Sequence, residues 1–572
     1  MKFANSPILT HRLSPLRSRL VVFALLAGFV ALIGRSLYLQ VFQNDFLQKK
    51  GESRYERVIE ISATRGRILD RHGDVLAVST PVKAIWAIPE DARLAPAQAR
   101  ELAALLEMDV RELNRKLASD RDFVFVKRQI PPDVAEKVAT LRLPGIHEQK
   151  EYRRYYPSGD VMAHMLGFTG VADEGQEGVE LAMNDLLTGK PGSRRVIKDR
   201  RGQIVEDVES IRAPQEGKDV TLALDAKIQY LAHSLLKQAI AEHKAKAGGV
   251  VVLDVKTGEV LALANAPTYN PNNRVRLVGA QLRNRAFTDT FEPGSTFKPF
   301  TAALALEKGK YRFDTPIQTA PGKLSIGAAT IHDAHVHGIL TLAEVIQKSS
   351  NVGAAKVALS FRPEDMWQNF NSLGFGTPLK LGFPGEVGGR LRPAKTWRQI
   401  EQATMSYGHG ISVTLMQLAR AYLAFARDGD LLPVSLTRVE TPPLTGAAVF
   451  SGQTAREVRT MLEMAVKPGG TAPKAQIPGY RVAGKTGTAH KLDGGSYGDK
   501  YVASFIGFAP ASEPCLVVAV MIDEPSAGKY YGGDVAAPVF AQVMAGALRT
   551  LGVPQDAPLK PVLMAEAVKE GV

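Results

Sequence analysis

The sequence predicts an α+β protein with one N-terminal transmembrane helix, an extended α+β pedestal module, and a larger C-terminal domain in which helices sandwich an antiparallel sheet. Three observations support this prediction: an uncharged apolar run near the N-terminus, a middle part that mixes short β-like runs with helical stretches, and a later part in which a helix, paired strands and further helices follow one another. The predicted segments are an N-terminal tail at 1–19, the anchor at 20–42, the pedestal at 43–217, the C-terminal domain at 218–550 and a C-terminal tail at 551–572.

Length, charge and cysteine content limit the class of protein. A chain of 572 residues is too long for one core and should hold about three or four units of structure. The net charge of +13 suits nucleic acid, an anionic membrane surface or an acidic polymer as partner. The sequence contains no nucleic-acid-binding motif, so a nucleic-acid partner is not predicted. Cys515 is the only cysteine and opens an apolar run, which predicts a buried structural thiol and excludes an internal disulfide.

The N-terminal segment is predicted to anchor the chain in a membrane. Residues 1–19 carry four Lys and Arg side chains and no acid, residues 20–34 carry no charge, and apolar character resumes after Arg35 up to Phe42. A bilayer core of about 30 Å needs about 20 helical residues, so the run is long enough. A cleaved signal peptide is the alternative, but no Ala-x-Ala-like site follows. The basic side should stay in the cytoplasm, with everything after about residue 43 exported.

The pedestal segment predicts structure but shows no chemistry of its own. Runs at 58–61 and 82–88 are β-like, and the stretches 96–106 and 132–141 are helical. The charge-rich segment 65–71 predicts a solvated hairpin with structural ion pairs. No metal-ligand spacing and no nucleophile–base pair occur in this part of the sequence, which predicts a module that holds or docks something.

The C-terminal domain is predicted to begin near Lys218. A strand at 220–225 ends in Asp225, a predicted N-cap for a helix over 226–243. The runs 248–255 and 260–264, joined by Lys-Thr-Gly-Glu, predict a β-hairpin. A Thr-x-x-Glu capping box at 341–344 predicts a helix from about 342.

Ser295 and Lys298 form the first candidate site. They stand three residues apart at the start of a predicted helix, so the amine lies within reach of the hydroxyl. Pro293 and Gly294 are turn residues, which predicts Ser295 at a helix N-terminus, where free N–H groups favour developing negative charge and can serve an oxyanion hole. Alone, this pattern is better explained by a helix cap with a solvated lysine, so the rest of the chain must support a site here.

Two further polar clusters follow in the chain. Ser349 and Asn351 mark a break at the end of the helix that begins near 342, which alone is ordinary turn chemistry. Residues 480–489 alternate like a strand, and the polar part of this strand consists of Lys485, Thr486, Gly487 and Thr488. The lysine and the threonines present a charge and donors suited to a carboxylate, and the glycine would let a substrate backbone approach closely.

Two sequence patterns match known kinds of binding site, but neither is predicted to form such a site. Residues 479–486 match the P-loop pattern, but no helical pattern follows the lysine, so a nucleotide site is not predicted. His332, His335 and His337 lie in a glycine-flanked stretch with no cysteine nearby, which favours a surface loop over a zinc site. We therefore predict no metal and no cofactor.

The Ser-x-x-Lys, Ser-x-Asn and Lys-Thr-Gly motifs, in this chain order, resemble the motif set of penicillin-binding proteins and serine β-lactamases. The middle motif is Ser-Ser-Asn rather than Ser-Asp-Asn, which is closer to the penicillin-binding proteins. With the anchor and the Arg-Gly-Arg-Ile-Leu-Asp-Arg segment at 65–71, the chain resembles the class B penicillin-binding proteins of the FtsI type over nearly its whole length. The resemblance implies a dimerisation-type pedestal and a penicillin-binding, serine β-lactamase-like transpeptidase domain.

The resemblance also implies an activity, that of a serine-type D-Ala-D-Ala transpeptidase acting on cell-wall stem peptides at the division septum. Ser295 would attack the carbonyl between the last two D-alanines, and an amine from a neighbouring strand would take the acyl group. β-Lactams would acylate Ser295 as mimics of this peptide end. Lys298 would be the base, and it can be neutral only if burial or a cation such as Lys485 lowers its pKa.

The same resemblance implies roles for the other motif residues. Ser349 would relay a proton to the leaving amine, and Asn351 would orient Lys298 and the donor peptide amide. Lys485, Thr486 and Thr488 would bind the terminal carboxylate. The N–H groups of Ser295 and Thr488 would form the oxyanion hole.

Location and partners follow from the same resemblance. It implies a single-pass inner-membrane protein of a Gram-negative cell, with a cytoplasmic N-terminus and a periplasmic catalytic domain. The stretch after about residue 550 is too short to hold repeated wall-binding domains, so none are expected there. No glycosyltransferase-type Glu-Asp pair occurs before residue 218, so glycan polymerisation is expected from a membrane polymerase of the FtsW type. Division proteins of the FtsQ, FtsL, FtsB and FtsN types are the other expected partners.

Four alternatives compete with this assignment. An elongation-specific class B transpeptidase of the side wall shares all three motifs, whereas a carboxypeptidase or β-lactamase would need efficient attack by water, for which the sequence reveals no base. A β-lactam sensor would carry further transmembrane helices and a cytoplasmic effector, for which about twenty N-terminal residues leave no room. A non-catalytic division scaffold would tolerate Ser295→Ala.

Overall fold

The computed structural model describes residues 15–43, 56–198, 204–493 and 496–558, and every structural statement below concerns these residues. The strands are β1 (Glu56–Ile61), β2 (Ile68–Leu69), β3 (Val75–Ala87), β4 (Val124–Ile130), β5 (Ile146–Tyr155), β6 (Gly192–Lys198), β7 (Ile204–Arg212), β8 (Val220–Thr221), β9 (Ala247–Asp254), β10 (Val260–Ala266), β11 (Pro316–Gln318), β12 (Lys323–Ile326), β13 (Ala329–His332), β14 (Ile339–Thr341), β15 (Asp430–Leu431), β16 (Ala447–Ala448), β17 (Ala483–Asp493), β18 (Ser496–Ala509) and β19 (Leu516–Asp523). The α-helices are α1 (Pro15–Leu37), α2 (Pro96–Leu105), α3 (Val110–Leu117), α4 (Pro132–Thr140), α5 (Ala163–Leu166), α6 (Gly178–Ala182), α7 (Asn184–Leu187), α8 (Ala226–Glu242), α9 (Gly279–Leu282), α10 (Arg285–Thr288), α11 (Lys298–Glu307), α12 (Leu342–Lys348), α13 (Asn351–Leu359), α14 (Pro363–Ser372), α15 (Gln399–Met405), α16 (Leu415–Ala426), α17 (Gly452–Val466), α18 (Gly532–Val535) and α19 (Ala537–Thr550). This content confirms the predicted α+β class.

The apolar N-terminal segment is helical, as predicted. Helix α1 continues into a π-helical turn over Tyr38–Phe42. Within the span Pro15–Val41, the most apolar stretch of 18 residues has a mean hydropathy of 2.3 and no buried residue. It is therefore long and apolar enough to cross a membrane.

A first compact unit consists of Met1–Ala63 and Lys190–Gln215. Its strands form a three-stranded antiparallel sheet in the order β1-β6-β7. Glu56 lies opposite Ile197 and Ile61 opposite Gly192. The strand predicted at 58–61 is thus confirmed, and its partners come from more than a hundred residues later in the chain.

The second compact unit consists of Thr64–Gly189 and Glu216–Val572. In its first part β3 pairs with β2, β4 and β5, and helices α2, α3 and α4 cover the sheet. Leu102, Leu113, Val126 and Val138 are buried between these layers. The helices predicted at 96–106 and 132–141 are confirmed as α2 and α4, each of which begins at a proline, the residue that suits the first helical turn.

The segment 65–71 belongs to a hairpin, because β2 pairs with β3, but the prediction that its charged residues are solvated is wrong for Arg65 and Asp70, which are both buried. Only 3% of Arg65 is exposed, and its Nε donates to Glu180 Oε2 at 2.6 Å. Arg154 Nε donates to the other oxygen of the same fully buried carboxylate at 2.6 Å. Arg67, in contrast, is exposed and pairs with Asp219, as the prediction required.

We expect Glu180→Gln to destabilise the protein strongly. The amide cannot neutralise two buried guanidinium groups, and breaking a buried ion pair by removing one partner costs about 3–5 kcal/mol of unfolding free energy. The denaturant midpoint of the full-length protein in detergent, followed by circular dichroism, should fall accordingly. Glu174→Gln is the matched control, because Glu174 is exposed and its replacement should change stability by no more than about 0.5 kcal/mol. Equal midpoints for both variants would contradict the expected role of Glu180.

The predicted strand at 220–225 is shorter than expected and pairs differently. Strand β8 covers Val220–Thr221 and runs parallel to β2, with Ile68 opposite Val220. It therefore joins the sheet of the pedestal rather than the C-terminal sheet. Asp225 caps α8 as predicted, since its Oδ1 accepts hydrogen bonds from the N–H groups of Lys227 and Ile228.

The C-terminal sheet is five-stranded and antiparallel, in the order β10-β9-β19-β18-β17. The predicted hairpin is confirmed as β9 and β10. Alternate residues of β9 enter two different cores: Val250 and Val252 pack with α8 and α19, whereas Val251 and Leu253 pack with α11 and α16. The predicted sandwich of a sheet between helices is therefore confirmed.

Cys515 is only half-buried, so the predicted buried thiol is wrong in degree. The residue directly precedes β19, and its partly buried side chain packs against the core that contains α8 and α19. Partial burial raises the pKa of the thiol.

Candidate active site

Ser295 lies in a 3₁₀ turn, Gly294–Phe297, which leads directly into α11. The prediction placed Ser295 in the first turn of an α-helix, whereas Lys298 is the first α-helical residue. This difference has little effect on the chemistry. Side chains three residues apart lie on the same face of a 3₁₀ turn, so Ser295 and Lys298 still meet. Lys298 Nζ lies 2.9 Å from Ser295 Oγ.

Lys298 is buried, with 1% of its surface exposed. Its Nζ donates to the carbonyl oxygen of Ser349 at 2.6 Å and lies 3.0 Å from Ser349 Oγ. Burial, followed by the charge of Lys485, holds the pKa of Lys298 well below its ordinary value of 10.5, while Asp333 acts in the opposite direction. Burial and the charge of Lys485 are the two causes predicted from the sequence, and both favour the neutral form of the Lys298 amine.

Ser349 occupies the break between two helices, as predicted. The capping box of Thr341 and Glu344 opens α12, and Ser349 ends that helix with a left-handed backbone, φ 62°. Ser350 then caps α13 by accepting from the Gly353 N–H. A left-handed backbone is uncommon for a residue other than glycine. Here it brings the carbonyl oxygen and the Oγ of Ser349 within hydrogen-bond distance of Lys298 Nζ.

Asn351 lies at the site, but among the described residues Lys298 Nζ hydrogen-bonds to Ser295 and Ser349 and not to Asn351, unlike the expected orienting bond. Its Nδ2 donates to the carbonyl oxygen of His332 at 2.9 Å. Asp333 accepts from Ser350 Oγ at 2.7 Å and from the Val352 N–H at 2.9 Å. Asp333 thus ties its loop to the Ser-Ser-Asn turn, a role that the sequence analysis missed because the three histidines dominated the interpretation of this stretch.

The third motif lies on β17, an edge strand that pairs with β18. The chain continues as a strand to Asp493, so the P-loop pattern has no helix after it, as predicted. Lys485 is fully buried, and its Nζ lies 3.2 Å from Thr486 Oγ1, which in turn is 3.0 Å from Thr471 Oγ1. Burial lowers the pKa of Lys485 to about 7. Its charge therefore lies behind Thr486 rather than on the ligand-facing surface that the sequence suggested.

Packing requires a glycine at position 487, a reason that was not predicted from the sequence. A Cβ at this position would come within 2.4 Å of Ser504 Oγ and 2.7 Å of the Pro293 carbonyl oxygen. The missing side chain allows β17 to pack against the turn that carries Ser295. Access for a substrate backbone at this glycine stays a prediction.

These elements enclose a cleft of about 550 Å³. The predicted residues on its surface are Ser295, Ser349, Asn351, Thr486 and Thr488, and those behind it are Lys298, Lys485 and Gly487. His335 and His337 lie at the cleft as well, so their loop is at the surface, as predicted, but beside the site. No group of three or more side chains suited to a metal occurs among the residues that the structure describes.

Several residues that line the cleft were not predicted from the sequence. Lys348 donates to the Gly469 carbonyl oxygen at 2.9 Å, which links two walls of the cleft. Thr471 follows directly after the glycine pair 469–470, and Tyr531 and Asp534 come from the segment after β19. The paired glycines were the only local signal; the other residues reach the cleft through tertiary structure alone.

Comparisons with known proteins agree with this geometry. Residues 248–545 match the family described as penicillin binding protein transpeptidase domain, and residues 60–222 match the penicillin-binding protein dimerisation domain. The probable peptidoglycan D,D-transpeptidase PenA of Neisseria gonorrhoeae is 46% identical over 97% of this chain and 95% of its own length. The peptidoglycan D,D-transpeptidase FtsI of Escherichia coli strain K12 is 43% identical over 94% of this chain and 92% of its own length.

Solved structures are similar as well. The transpeptidase domain of Burkholderia pseudomallei penicillin-binding protein 3 is 50% identical, covers 59% of this chain and 98% of its own, and has a TM-score of 0.55. A peptidoglycan synthetase from Bifidobacterium adolescentis is 26% identical, covers 88% of this chain and 98% of its own, and has a TM-score of 0.70. The chain therefore belongs to the class B penicillin-binding proteins, in which a dimerisation domain precedes the transpeptidase domain.

Proposed function

We propose that this protein is a peptidoglycan D,D-transpeptidase that cross-links stem peptides at the division septum through an acyl-enzyme on Ser295. One observation carries the proposal: Ser295 Oγ lies in an open cleft, 2.9 Å from a buried lysine amine whose pKa is strongly lowered. A hydroxyl beside a neutral amine is an activated nucleophile. The names of the relatives, peptidoglycan D,D-transpeptidases, support the substrate class.

Acylation begins with proton transfer from Ser295 to neutral Lys298. Ser295 Oγ bonds to the carbonyl carbon between the two D-alanines, and the N–H groups of Ser295 and Thr488 stabilise the oxyanion. The C–N bond then breaks, and Ser349 Oγ, 3.0 Å from Lys298 Nζ, passes a proton to the leaving amine of D-alanine. The products are a Ser295 ester and free D-alanine.

The terminal carboxylate of the donor binds at the threonines of β17. Thr488 Oγ1 accepts from the Gly532 N–H, which leaves its own hydrogen to donate to a carboxylate. Thr486 donates from the neighbouring position, and Lys485 behind it supplies positive charge when it is protonated. Because the pKa of Lys485 is about 7, a bound anion stabilises the charged form and strengthens its own binding.

The second half-reaction transfers the acyl group to an amine of a neighbouring strand. This amine gives a proton to Lys298, which is neutral again after D-alanine has left, as its nitrogen bonds to the acyl carbon. The C–O bond of the ester then breaks, and Lys298 passes that proton to Ser295 Oγ. Asn351 orients the donor peptide amide from its position in the cleft. A β-lactam acylates Ser295 in the same way as the peptide, and its ring-opened ester blocks the site.

The proposed organisation follows the predicted segments: a cytoplasmic tail at 1–19, an inner-membrane anchor at 20–42, a periplasmic dimerisation-type pedestal at 43–217, the transpeptidase domain at 218–550 and a tail at 551–572. The apolar helix and the ranges of the two family matches support it. Polymerisation falls to an FtsW-type partner, with FtsQ-, FtsL-, FtsB- and FtsN-type proteins as division partners. Similarity to a relative named FtsI supports this assignment.

The septal role is tested by depleting the protein in the bacterium that encodes it. We expect the depleted cells to form long filaments without septa. Renewed expression of the wild-type chain should restore division. Rounded cells would instead assign the protein to the side wall. Expression of Ser295→Ala distinguishes enzyme from scaffold, because a non-catalytic scaffold would restore division with that variant and a transpeptidase would not.

A further inference from the structure

A second pocket adjoins the catalytic cleft. Its volume of about 790 Å³ exceeds the 550 Å³ of the cleft, and both lie within the range of ligand-binding pockets. Phe291 and Glu292, a few residues before Ser295, form part of its wall. Residues 489–491, which directly follow Thr488, form another part. The two cavities are therefore neighbours along β17.

The direction of β17 determines which part of a substrate meets this pocket. An edge strand binds an extended peptide by adding it to the sheet, and this sheet is antiparallel throughout. A peptide whose terminal carboxylate lies at Thr486 and Thr488 then extends, towards its own N-terminus, past His490 and Lys491. Each residue advances by about 3.4 Å, so the residues just before the D-alanyl-D-alanine end reach the pocket.

The wall of the pocket carries an excess of one positive charge: four cations (Lys246, Arg283, Arg285 and Lys491) line it together with three carboxylates (Asp289, Glu292 and Asp523). Arg283 Nη2 lies 2.6 Å from Asp289 Oδ1, and Arg285 Nη1 lies 2.7 Å from Oδ2 of the same carboxylate. Only 7% of Arg285 is exposed, and its Nε has no hydrogen-bond partner among the described residues. One carboxylate thus serves two guanidinium groups, which are the side chains best suited to paired hydrogen bonds with a further carboxylate.

We propose that this pocket binds a carboxylate of the donor stem peptide, on a residue that precedes the D-alanyl-D-alanine end. The proposal rests on the proposed function, since it assigns a substrate subsite to the same reaction. Arg283, whose side chain is 54% exposed, turns from Asp289 to the incoming carboxylate, while Arg285 stays fixed beneath it. Both arginines determine specificity and take no part in the chemistry at Ser295.

The test compares two donor peptides that both end in D-alanyl-D-alanine and differ only upstream, where one carries a free carboxylate and the other its amide. Release of D-alanine is measured with the full-length protein in detergent. We expect the wild type to prefer the acidic peptide by about tenfold in kcat/KM, the size of one charged contact. Arg283→Gln should lose most of this preference, while Arg276→Gln, a change of an exposed arginine outside the pocket, should keep it.

Acylation by benzylpenicillin, which lacks the upstream peptide, should be the same in all three proteins. Equal rates of the wild type with both peptides, or an unchanged preference in Arg283→Gln, would overturn the proposal. An effect of Arg283→Gln confined to transfer to the acceptor amine would also overturn it, because the pocket would then hold the acceptor. If penicillin and both peptides fail to acylate the wild type, the proposed function itself is wrong, and the subsite with it.

Discussion

Ser295→Ala is expected to form no covalent adduct with penicillin and to release no D-alanine from a donor peptide. The substitution removes the oxygen that lies 2.9 Å from Lys298 Nζ and leaves the rest of the cleft in place. Loss of a catalytic serine lowers turnover by about 10⁶-fold in a serine hydrolase, which is below detection in a labelling experiment. The measurement is gel fluorescence of the full-length protein after incubation with a fluorescent penicillin.

Ser325→Ala is the matched control for this experiment. Ser325 is exposed on the β12–β13 hairpin and does not line the cleft, so its variant should label like the wild type. The thermal unfolding midpoints of both variants should equal that of the wild type, because neither change creates a cavity in the core. A folded Ser295→Ala protein that still carries penicillin would place the nucleophile elsewhere and refute the mechanism.

Features with a short-range sequence signal were predictable. The apolar anchor, the β9–β10 hairpin and the capping box at Thr341 each depend on residues within one element or one turn of each other. Asp225 as a helix cap belongs to the same class. Local propensity and tertiary structure agree at these places, so the sequence alone sufficed.

Features that depend on distant partners were not predictable. Arg65 looked solvated because its partner Glu180 lies 115 residues later, and burial is decided by that pairing. The pairing of β8 with β2 joins residues that are still farther apart in the chain, such as Ile68 and Val220. Two-residue strands give no period of their own, so nothing local could assign them to a sheet.

The third motif shows a limit of a different kind. The residue types on β17 were identified, but all four were assigned to the ligand side. Strand alternation separates Lys485 and Gly487 from Thr486 and Thr488, and the structure places the first pair inside and the second pair in the cleft. The period of the strand contained this information, whereas the depth of Lys485 came only from the packing around it.

Lys298→Gln is expected to lower the rate of penicillin acylation by about 10²–10⁴-fold, the usual contribution of a general base. The amide cannot accept the Ser295 proton. Lys298→Arg should lose as much, because a guanidinium keeps the positive charge and the donors but does not deprotonate. Lys308→Gln, an exposed lysine at the end of the same helix, should acylate normally. Substantial activity in Lys298→Arg would show that the lysine acts by charge or position rather than as a base.

The pH profile of the wild type separates these roles further. Because burial and Lys485 lower the pKa of Lys298, the acylation rate should rise as the amine deprotonates and level off at a pH well below 10.5. The same shift affects stability: between the lowered pKa of the folded protein and 10.5, the unfolded chain binds more protons, so the free energy of unfolding rises with pH. Lys298→Met should remove this part of the pH dependence of stability, whereas Lys308→Gln should keep it. A rate that rises only near pH 10.5 would mean that Lys298 stays charged in the folded enzyme, and the base at Ser295 would have to be another group.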